Sequence, residues 1–361
     1  MSIRPPSVSV VILNHNGGKV TVRCVKSVLA SSYPNYEIVL IDNASNKKDI
    51  QLLRQHFHTY PHITFIPHSE NAGYAEGNNL GAAVSQGKYL VFLNNDAIVP
   101  SNFLEKPIDI LRKNPHIAFL QPKIKWMRNP RFLEYAGGAG GFMDFIGYPF
   151  VRGRIFGSLE EDISQYDDER DVFWASGVAL YCRKAVFERL GRFDPYFFTH
   201  GEEEDICFRA HRVGLRVVYS PSVEILHIGA YTGNRNVARK TFYNHRNHLV
   251  LLFKNLKIRE LLLVFPIRIV CDIASLLYYL LHYGSRKTPL SVIGAYVSFF
   301  VDFPQIIRAR RLYKIGKFGY PQKTGLIYRG SIIVDYFLFG KKRWSEIFNL
   351  AFPKGKIAKI F

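Results

Sequence analysis

The sequence predicts an α/β protein with a mostly parallel central sheet flanked by helices. Short apolar runs alternate with longer mixed segments from Ser7 to Asp96, as in successive βαβ units. The runs are continuously apolar, which suits strands covered on both faces. Each one stops abruptly in polar residues.

Taken in order, Val8–Leu13 is a strand, Thr21–Ser31 a helix, Glu37–Ile41 a strand and Lys48–Phe57 a helix. Ile63–Pro67 is the third strand, Tyr74–Ser85 the next helix and Tyr89–Leu93 the fourth strand. In open α/β sheets ligands bind outside the carboxyl ends of the strands. The residues there are Asn14-His15-Asn16-Gly17, Asp42-Asn43-Ala44-Ser45, Glu70-Asn71-Ala72-Gly73 and Asn94-Asn95-Asp96. Residues 125–170, rich in glycine and charge, predict a long mobile loop of the kind kept for function. Regular structure resumes at Val172–Cys182, with a helix near Lys184–Leu190.

A chain of 361 residues with 48% hydrophobic side chains can build a substantial core. Its net charge of +19 is unevenly spread: residues 1–230 carry 25 basic and 24 acidic side chains, residues 231–361 carry 23 and 5. The near-neutral part fits an enzyme domain, and the basic, apolar remainder fits an anionic surface. Cys24, Cys182, Cys207 and Cys271 form no C-x-x-C pair, so neither a disulfide framework nor a zinc site is expected, and a reduced compartment fits. The opening apolar run breaks at Asn14-His15-Asn16 without a small-residue cleavage site, and reads as a strand and not a signal peptide.

Beyond Glu260 lie two apolar segments, ELLLVFPIRIVCDIASLLYYLLHY and PLSVIGAYVSFFVDFPQII. Arg268 and Asp272 stand one turn apart in the first, and Asp302 and Pro304 interrupt the second, so neither is a clean membrane span. Amphipathic helices lying in the membrane interface are expected, with Arg308, Arg310, Arg311 and Lys314 meeting anionic lipid.

Asn-Asn-Asp after a strand ordinarily makes a turn. Asp96 also offers a hard anionic oxygen suited to Mg²⁺ or Mn²⁺, and His227, ending the apolar run Val223–Ile228, supplies an imidazole that suits Mn²⁺ better. Glu202-Glu203-Glu204-Asp205 is the second concentration of charge. It suits a helix start, and its mutual repulsion raises the pKa of the least solvated member.

The motifs VSVVILNHNG, EIVLIDNAS, ENAGYAEGNNLGAAVSQGKYLVFLNNDAIV, SGVALYCRKAVFERLGRFDPYFFTHGEEEDICFRAHRVGLRVVYSPSVEILHIG and HRNHLVLLFKN occur in that order. Over roughly residues 7–257 the chain resembles family 2 glycosyltransferases, most of all their rhamnosyltransferase-like branch. The resemblance implies a GT-A fold, Rossmann-like, over 1–257, with a donor half to about residue 100 and an acceptor half from 101. Residues 258–361 then form a helical membrane-associating region.

Carried over by position, the resemblance implies that Asn14, Asn16, Asp42, Asn43, Gly73, Asn78, Asn94, Asn95 and Arg246 serve the nucleotide-sugar donor. Asn94-Asn95-Asp96 falls on the D-x-D metal motif, so Asp96 and His227 would hold Mn²⁺ or Mg²⁺. Glu202 and Glu203 fall on the Glu-Asp pair that supplies the catalytic base, with Asp205 beside them. Trp174, Ser176 and Gly177 would line the acceptor side, and Arg235, Arg239 and Lys240 would reach the diphosphate. Three positions depart from the pattern: Asn94 replaces the first acid of D-x-D, Glu203 stands where Asp is usual, and Pro195 replaces an acid after Phe-Asp.

The implied reaction inverts the anomeric centre. It moves a sugar, with dTDP-rhamnose as lead donor and UDP-hexoses behind it, to a glycan or lipid-linked acceptor at the cytoplasmic face of the membrane. A nucleotidyltransferase is disfavoured because its glycine-rich Arg/Lys loop is absent from LNHNGGK. The basic tail alone suggests nucleic-acid binding, but its charges are interleaved with long apolar runs, so no nucleic acid is expected. A non-catalytic nucleotide-sugar-binding homologue is the alternative that Asn94 raises.

Overall fold

The structure is a computed structural model describing residues 7–134, 136–229, 237–282, 286–319, 321 and 326–348. Strand β1 (Val8–Asn14) is followed by helix α1 (Lys19–Leu29), β2 (Tyr36–Asn43), α2 (Lys47–Phe57), β3 (Ile63–His68), α3 (Gly73–Val84) and β4 (Tyr89–Asn94). The expected elements are all there, with ends displaced by a residue or two. Alternate side chains of β1 serve opposite layers: Val8, Val10 and Ile12 pack with α1 and α2, while Val11 faces α3. Helix α3 approaches the sheet so closely that a Cβ on Gly77 would lie 2.5 Å from Leu13 and one on Gly81 2.3 Å from Val11.

After β4 come β5 (Ala97–Ile98), α4 (Glu105–Lys113), β6 (Ile117–Trp126) and then β7 (Gly141–Asp144), β8 (Pro149–Val151), β9 (Arg154–Ile155) and β10 (Ser158–Leu159). Next are β11 (Arg170–Asp171), β12 (Ala179–Arg183), α5 (Lys184–Arg189), α6 (Glu202–Arg212), β13 (Arg216–His227) and α7 (Val237–Asn255). The main sheet runs β11-β13-β6-β12-β4-β1-β2-β3, with β5 paired to β13. β1, β2, β3 and β4 are parallel, β12 runs against both β4 and β6, and β13 is parallel to β6. Strand order reverses about β1, and the carboxyl ends of β1, β2 and β4 there lie in register, Asn14 opposite Asp42 and Leu13 opposite Asn94.

Residues 125–170 are not the mobile loop that their composition predicts. Strands β7 to β10 form a second sheet, and the segment's charges are paired: Asp162 with Lys123 of β6 at 2.9 Å and Lys125 with Glu224 of β13 at 3.2 Å, while Arg152 is buried against Asp168. The glycines permit close packing, since a Cβ on Gly141 would lie 2.1 Å from the Trp174 ring. The expected single stretch Val172–Cys182 is divided, with residues 172–178 crossing between β11 and β12.

The C-terminal part contains α8 (Ile258–His282), α9 (Lys287–Val301), α10 (Phe303–Leu312), β14 (Ile327–Tyr328) and α11 (Trp344–Phe348). It is knitted into the rest of the chain. β14 extends the second sheet beside β7, and the Trp344 and Phe348 rings, stacked 3.9 Å apart, close over Phe142 and Phe150. No gap in the packing marks residue 257, because α7 rests on both α9 and α10.

Candidate active site

The register of one strand pair assembles the first half of the site. His227, the last residue of β13, pairs with Ala97 of β5, and Ile228 N donates to Asp96 O at 3.1 Å. This places His227 Nε2 2.9 Å from Asp96 Oδ1 and 3.3 Å from Asn94 Nδ2. On the other side of the ring, Nδ1 lies 3.2 Å from Glu134 Oε2. Burial pushes the imidazole pKa down, but the flanking Asp96 and Glu134 carboxylates outweigh it and raise His227 to about 10. The surroundings favour a positive charge between the two carboxylates.

Asp96 Oδ1 and His227 Nε2 fit a divalent ion. Ligands on an octahedral ion with bonds of about 2.1 Å stand about 3 Å apart, which is the separation of these two atoms. Among the described residues no group of three or more His, Cys, Asp or Glu is arranged to hold an ion. Two protein ligands with phosphate oxygens and water completing the shell is a usual Mg²⁺ arrangement.

Around this pair the strand-end residues form a hydrogen-bonded floor. Asn14, fully buried, donates to Asp42 Oδ1 (2.8 Å), Ser45 Oγ (2.9 Å) and Asp49 Oδ2 (2.7 Å), and accepts from Thr21 Oγ1 (2.6 Å). Asn95 donates to Thr21 Oγ1 at 2.8 Å. Asp42 accepts from Ser45 N, and Asn43 bonds Gly73 O and Ala72 N, holding the start of α3. Asn78 is buried within α3, donating to Tyr74 O. Asn16, in contrast, is exposed, with a positive φ of 53°. Of the nine residues expected to serve the donor, Asn14, Asp42, Asn43 and Asn78 are therefore buried supports, while Asn16 and Asn94 keep exposed surface.

The second half of the site is the start of α6. Gly201 caps the helix at φ 97°, and the preceding Phe198 and His200 hold positive φ values of 60° and 66°, costly for side chains with a Cβ. Helix α7 secures this turn: Asn247 Nδ2 donates to the carbonyls of Phe197, Thr199 and His200, and Arg246 Nη2 to those of Tyr196 and Phe197. Arg246, expected at the donor, is instead engaged with that turn and packed over the Tyr196 ring.

The four consecutive carboxylates have separate fates. Asp205, expected among the bases, is instead sealed in the core. It accepts from Arg209 Nε, Lys254 Nζ and Asn255 Nδ2, each at 3.0 Å. Burial opposes its ionisation, yet Lys254 and Arg209 hold its pKa below the usual value. Glu202 is buried, its Oε2 lacks a hydrogen-bond partner among the described residues, and burial with Glu203 nearby raises its pKa well above the usual range. Burial raises Glu204 to about 8. Glu203 alone of the four reaches the 172–178 connection, accepting from Gly177 N at 3.1 Å, and burial raises its pKa.

Gly177 is held on its other side by Tyr74, whose hydroxyl donates to Gly177 O at 2.9 Å. A Cβ there would lie 2.2 Å from the Tyr74 hydroxyl and 2.4 Å from Glu203 Oε1, so only glycine fits. Ser176 adjoins it, its Oγ bonded to Ala136 O. Trp174, expected to line the acceptor side, instead turns inward and donates from Nε1 to Phe142 O at 3.0 Å. Arg239 and Lys240 lie on α7, and Arg235 lies outside the described residues. Glu134 stands in none of the motifs and Tyr74 stands in one without an expected role; the fold brings both to the site.

The profile described as "Glycosyl transferase family 2" matches residues 9–186. Residues 9–186 form a glycosyltransferase family 2 domain. This glycosyltransferase is 25% identical over 224 residues to the O-antigen biosynthesis protein RfbC of Myxococcus xanthus, a match covering 62% of this chain and 17% of RfbC. It is 24% identical over 261 residues to the N-acetylglucosaminyl-diphospho-decaprenol L-rhamnosyltransferase of Mycobacterium tuberculosis (strain H37Rv), covering 67% of this chain and 83% of the relative. Among solved structures, GalNAc-T7 with UDP, GalNAc and Mn²⁺ superposes with a TM-score of 0.55 at 20% identity, covering 68% of this chain and 47% of that one. The mannosyltransferase PcManGT from Pyrobaculum calidifontis, in complex with GDP-Man and Mn²⁺, gives 0.51 at 16% identity, covering 86% of both. The fold is GT-A.

Proposed function

We propose that this glycosyltransferase transfers a sugar from a nucleotide-sugar to a hydroxyl of a glycan or lipid-linked acceptor in cell-surface polysaccharide synthesis, with inversion and a divalent ion. The observation that carries the reading is the meeting of His227 Nε2 and Asp96 Oδ1 at 2.9 Å beneath the strand ends, within a family 2 domain. Rhamnose from dTDP-rhamnose is the lead donor, supported by the mycobacterial rhamnosyltransferase, and UDP-linked sugars come next. That relative's decaprenol-linked acceptor supports a lipid-linked acceptor here, met at the cytoplasmic face through an anionic membrane surface that residues 258–361 engage.

Glu203 takes the proton from the acceptor hydroxyl, the freed oxygen bonds to the anomeric carbon, and the bond from that carbon to the diphosphate oxygen breaks. Gly177 N fixes the Glu203 carboxylate, and Tyr74 fixes Gly177. Asp96 and His227 would hold Mn²⁺ or Mg²⁺, whose charge stabilises the departing nucleoside diphosphate. Glu134 keeps the His227 ring turned with Nε2 toward Asp96.

A thermal-shift screen of nucleotide-sugars with and without Mn²⁺, followed by product analysis with the best donor, tests the reading. Expected are a donor that stabilises the chain only with the ion and a transferred sugar that E203Q fails to transfer. Full transfer by both E203Q and D96A would refute the assignment.

A further inference from the structure

Helices α8 and α9 turn large apolar side chains outward as well as inward. Along α8 the buried stripe is Leu261, Val264, Arg268 and Asp272, three or four residues apart and so on one face. The opposite face exposes Leu263 (63%), Val270 (66%) and Leu281 (82%). Helix α9 repeats the pattern, burying Val292, Ala295 and Phe299 while exposing Leu290 (60%), Val297 (56%) and Phe300 (65%). A surface helix in water keeps a polar outer face, and a continuous exposed apolar face marks a contact surface. Phe337 extends this face, its ring 5.8 Å from that of Tyr278.

The inward charges are fully engaged. Asp272 accepts from Arg268 Nε (3.0 Å), Tyr148 Oη (2.6 Å) and Tyr296 Oη (2.7 Å), with His245 Nδ1 at 3.0 Å, and Arg268 Nη1 donates to Gly147 O at 3.2 Å. This binds the middle of α8 to the β7–β8 turn and to α7. Were α8 to cross a bilayer, that turn and α7 would enter the hydrocarbon with it, polar backbone included, which lipid does not tolerate. A helix bound in this way can lie along a membrane and cannot cross one.

We infer that the outward face of α8 and α9 is a monotopic seat on an anionic bilayer, its leucine, valine and phenylalanine side chains reaching the acyl boundary. This rests on the membrane reading above and fixes its geometry. Charge complementarity selects the occupant: Arg259, Lys287, Arg308, Arg311 and Lys314 are exposed on α8, α9 and α10 and just beyond, in a part of the chain with 23 basic and 5 acidic residues. Two copies of this face would bring like charges together, whereas phosphate headgroups neutralise them. α10 bends 66° from α9.

The test is flotation of the full chain with phosphatidylcholine vesicles with and without about 30% phosphatidylglycerol. Wild type is expected to float with the anionic vesicles and much less with the neutral ones. The variant L263D/V270D, altered only at exposed positions, is expected to lose binding by about tenfold or more while keeping its melting temperature. V84D, at an exposed valine on α3, serves as the control and floats as wild type. If L263D/V270D floats normally, the seat is overturned and the membrane reading survives. If wild type floats with neither vesicle, the membrane reading falls and the seat with it. Loss of a dimer in the variant without any vesicle binding by wild type would assign the face to a second copy.

Discussion

His227 Nδ1 lies 3.2 Å from Glu134 Oε2, on the side of the ring opposite Asp96. A carboxylate behind a ligating imidazole fixes its orientation and raises its basicity, and its loss typically costs 10- to 100-fold in metal affinity. E134Q is therefore expected to weaken Mn²⁺ binding by about 10- to 100-fold, read by electron paramagnetic resonance of free Mn²⁺ in the presence of donor. Equal affinity in E134Q and wild type would remove Glu134 from the site.

Asn94 sits 3.3 Å from His227 Nε2 where the family pattern has an acid. N94D adds a second charge beside Asp96, and at close range in a partly buried site it should raise Mn²⁺ affinity by about tenfold or more. Calorimetric titration measures this. A fall in affinity would mean that the Asn94 side chain points away from the ion.

Glu203 and Gly177 are in hydrogen-bond contact at 3.1 Å. E203Q should lower kcat by about 10²–10⁴ with donor affinity unchanged. G177A should also lower kcat, because its Cβ would lie 2.4 Å from Glu203 Oε1 and 2.2 Å from the Tyr74 hydroxyl. Adding Y74F to G177A removes one of these clashes and should restore part of the loss in steady-state kinetics.

Glu204 is buried and its pKa is raised by burial, and by Glu203, from 4.5 to about 8. The folded state favours its neutral form, so its contribution to stability is present below pH 4.5 and is lost as pH rises through about 8. E204Q is uncharged at every pH. It should be more stable than wild type above pH 8, with the gap closing toward pH 4.5 in denaturant melts. A pH-independent difference would contradict the linkage.

Arg268 and Asp272 are each about 1% exposed. D272N leaves a buried guanidinium without its counter-charge and should destabilise the fold by about 3–5 kcal/mol, whereas replacing both residues with apolar ones should cost far less. Urea unfolding of R268M, D272N and R268M/D272L would separate these cases.

Periodicity alone made β1 to β4 and α1 to α3 legible, because a strand buried on both faces must be continuously apolar and a flanking helix must not be. The Arg268–Asp272 pair was legible for a similar reason, since residues four apart on a helix share a face. Residues 125–170 were misread as mobile: their charges look solvated in sequence, and only folding shows Lys123 against Asp162 and Arg152 against Asp168. The fates of Glu202, Glu203, Glu204 and Asp205 were also illegible, because four successive carboxylates point in different directions once a helix forms.

The sequence by itself determined the α/β class, the polar strand ends and the lopsided charge. Local pattern carries that information, as strand and helix periods are properties of neighbouring residues. Tertiary structure decided the rest. Pairing of His227 with Ala97 set the distance to Asp96, Glu134 arrived behind the ring from a segment with no motif, and Lys254 with Arg209 withdrew Asp205 into the core. These contacts join residues far apart in the chain, so strand register and burial, and not sequence spacing, fix them.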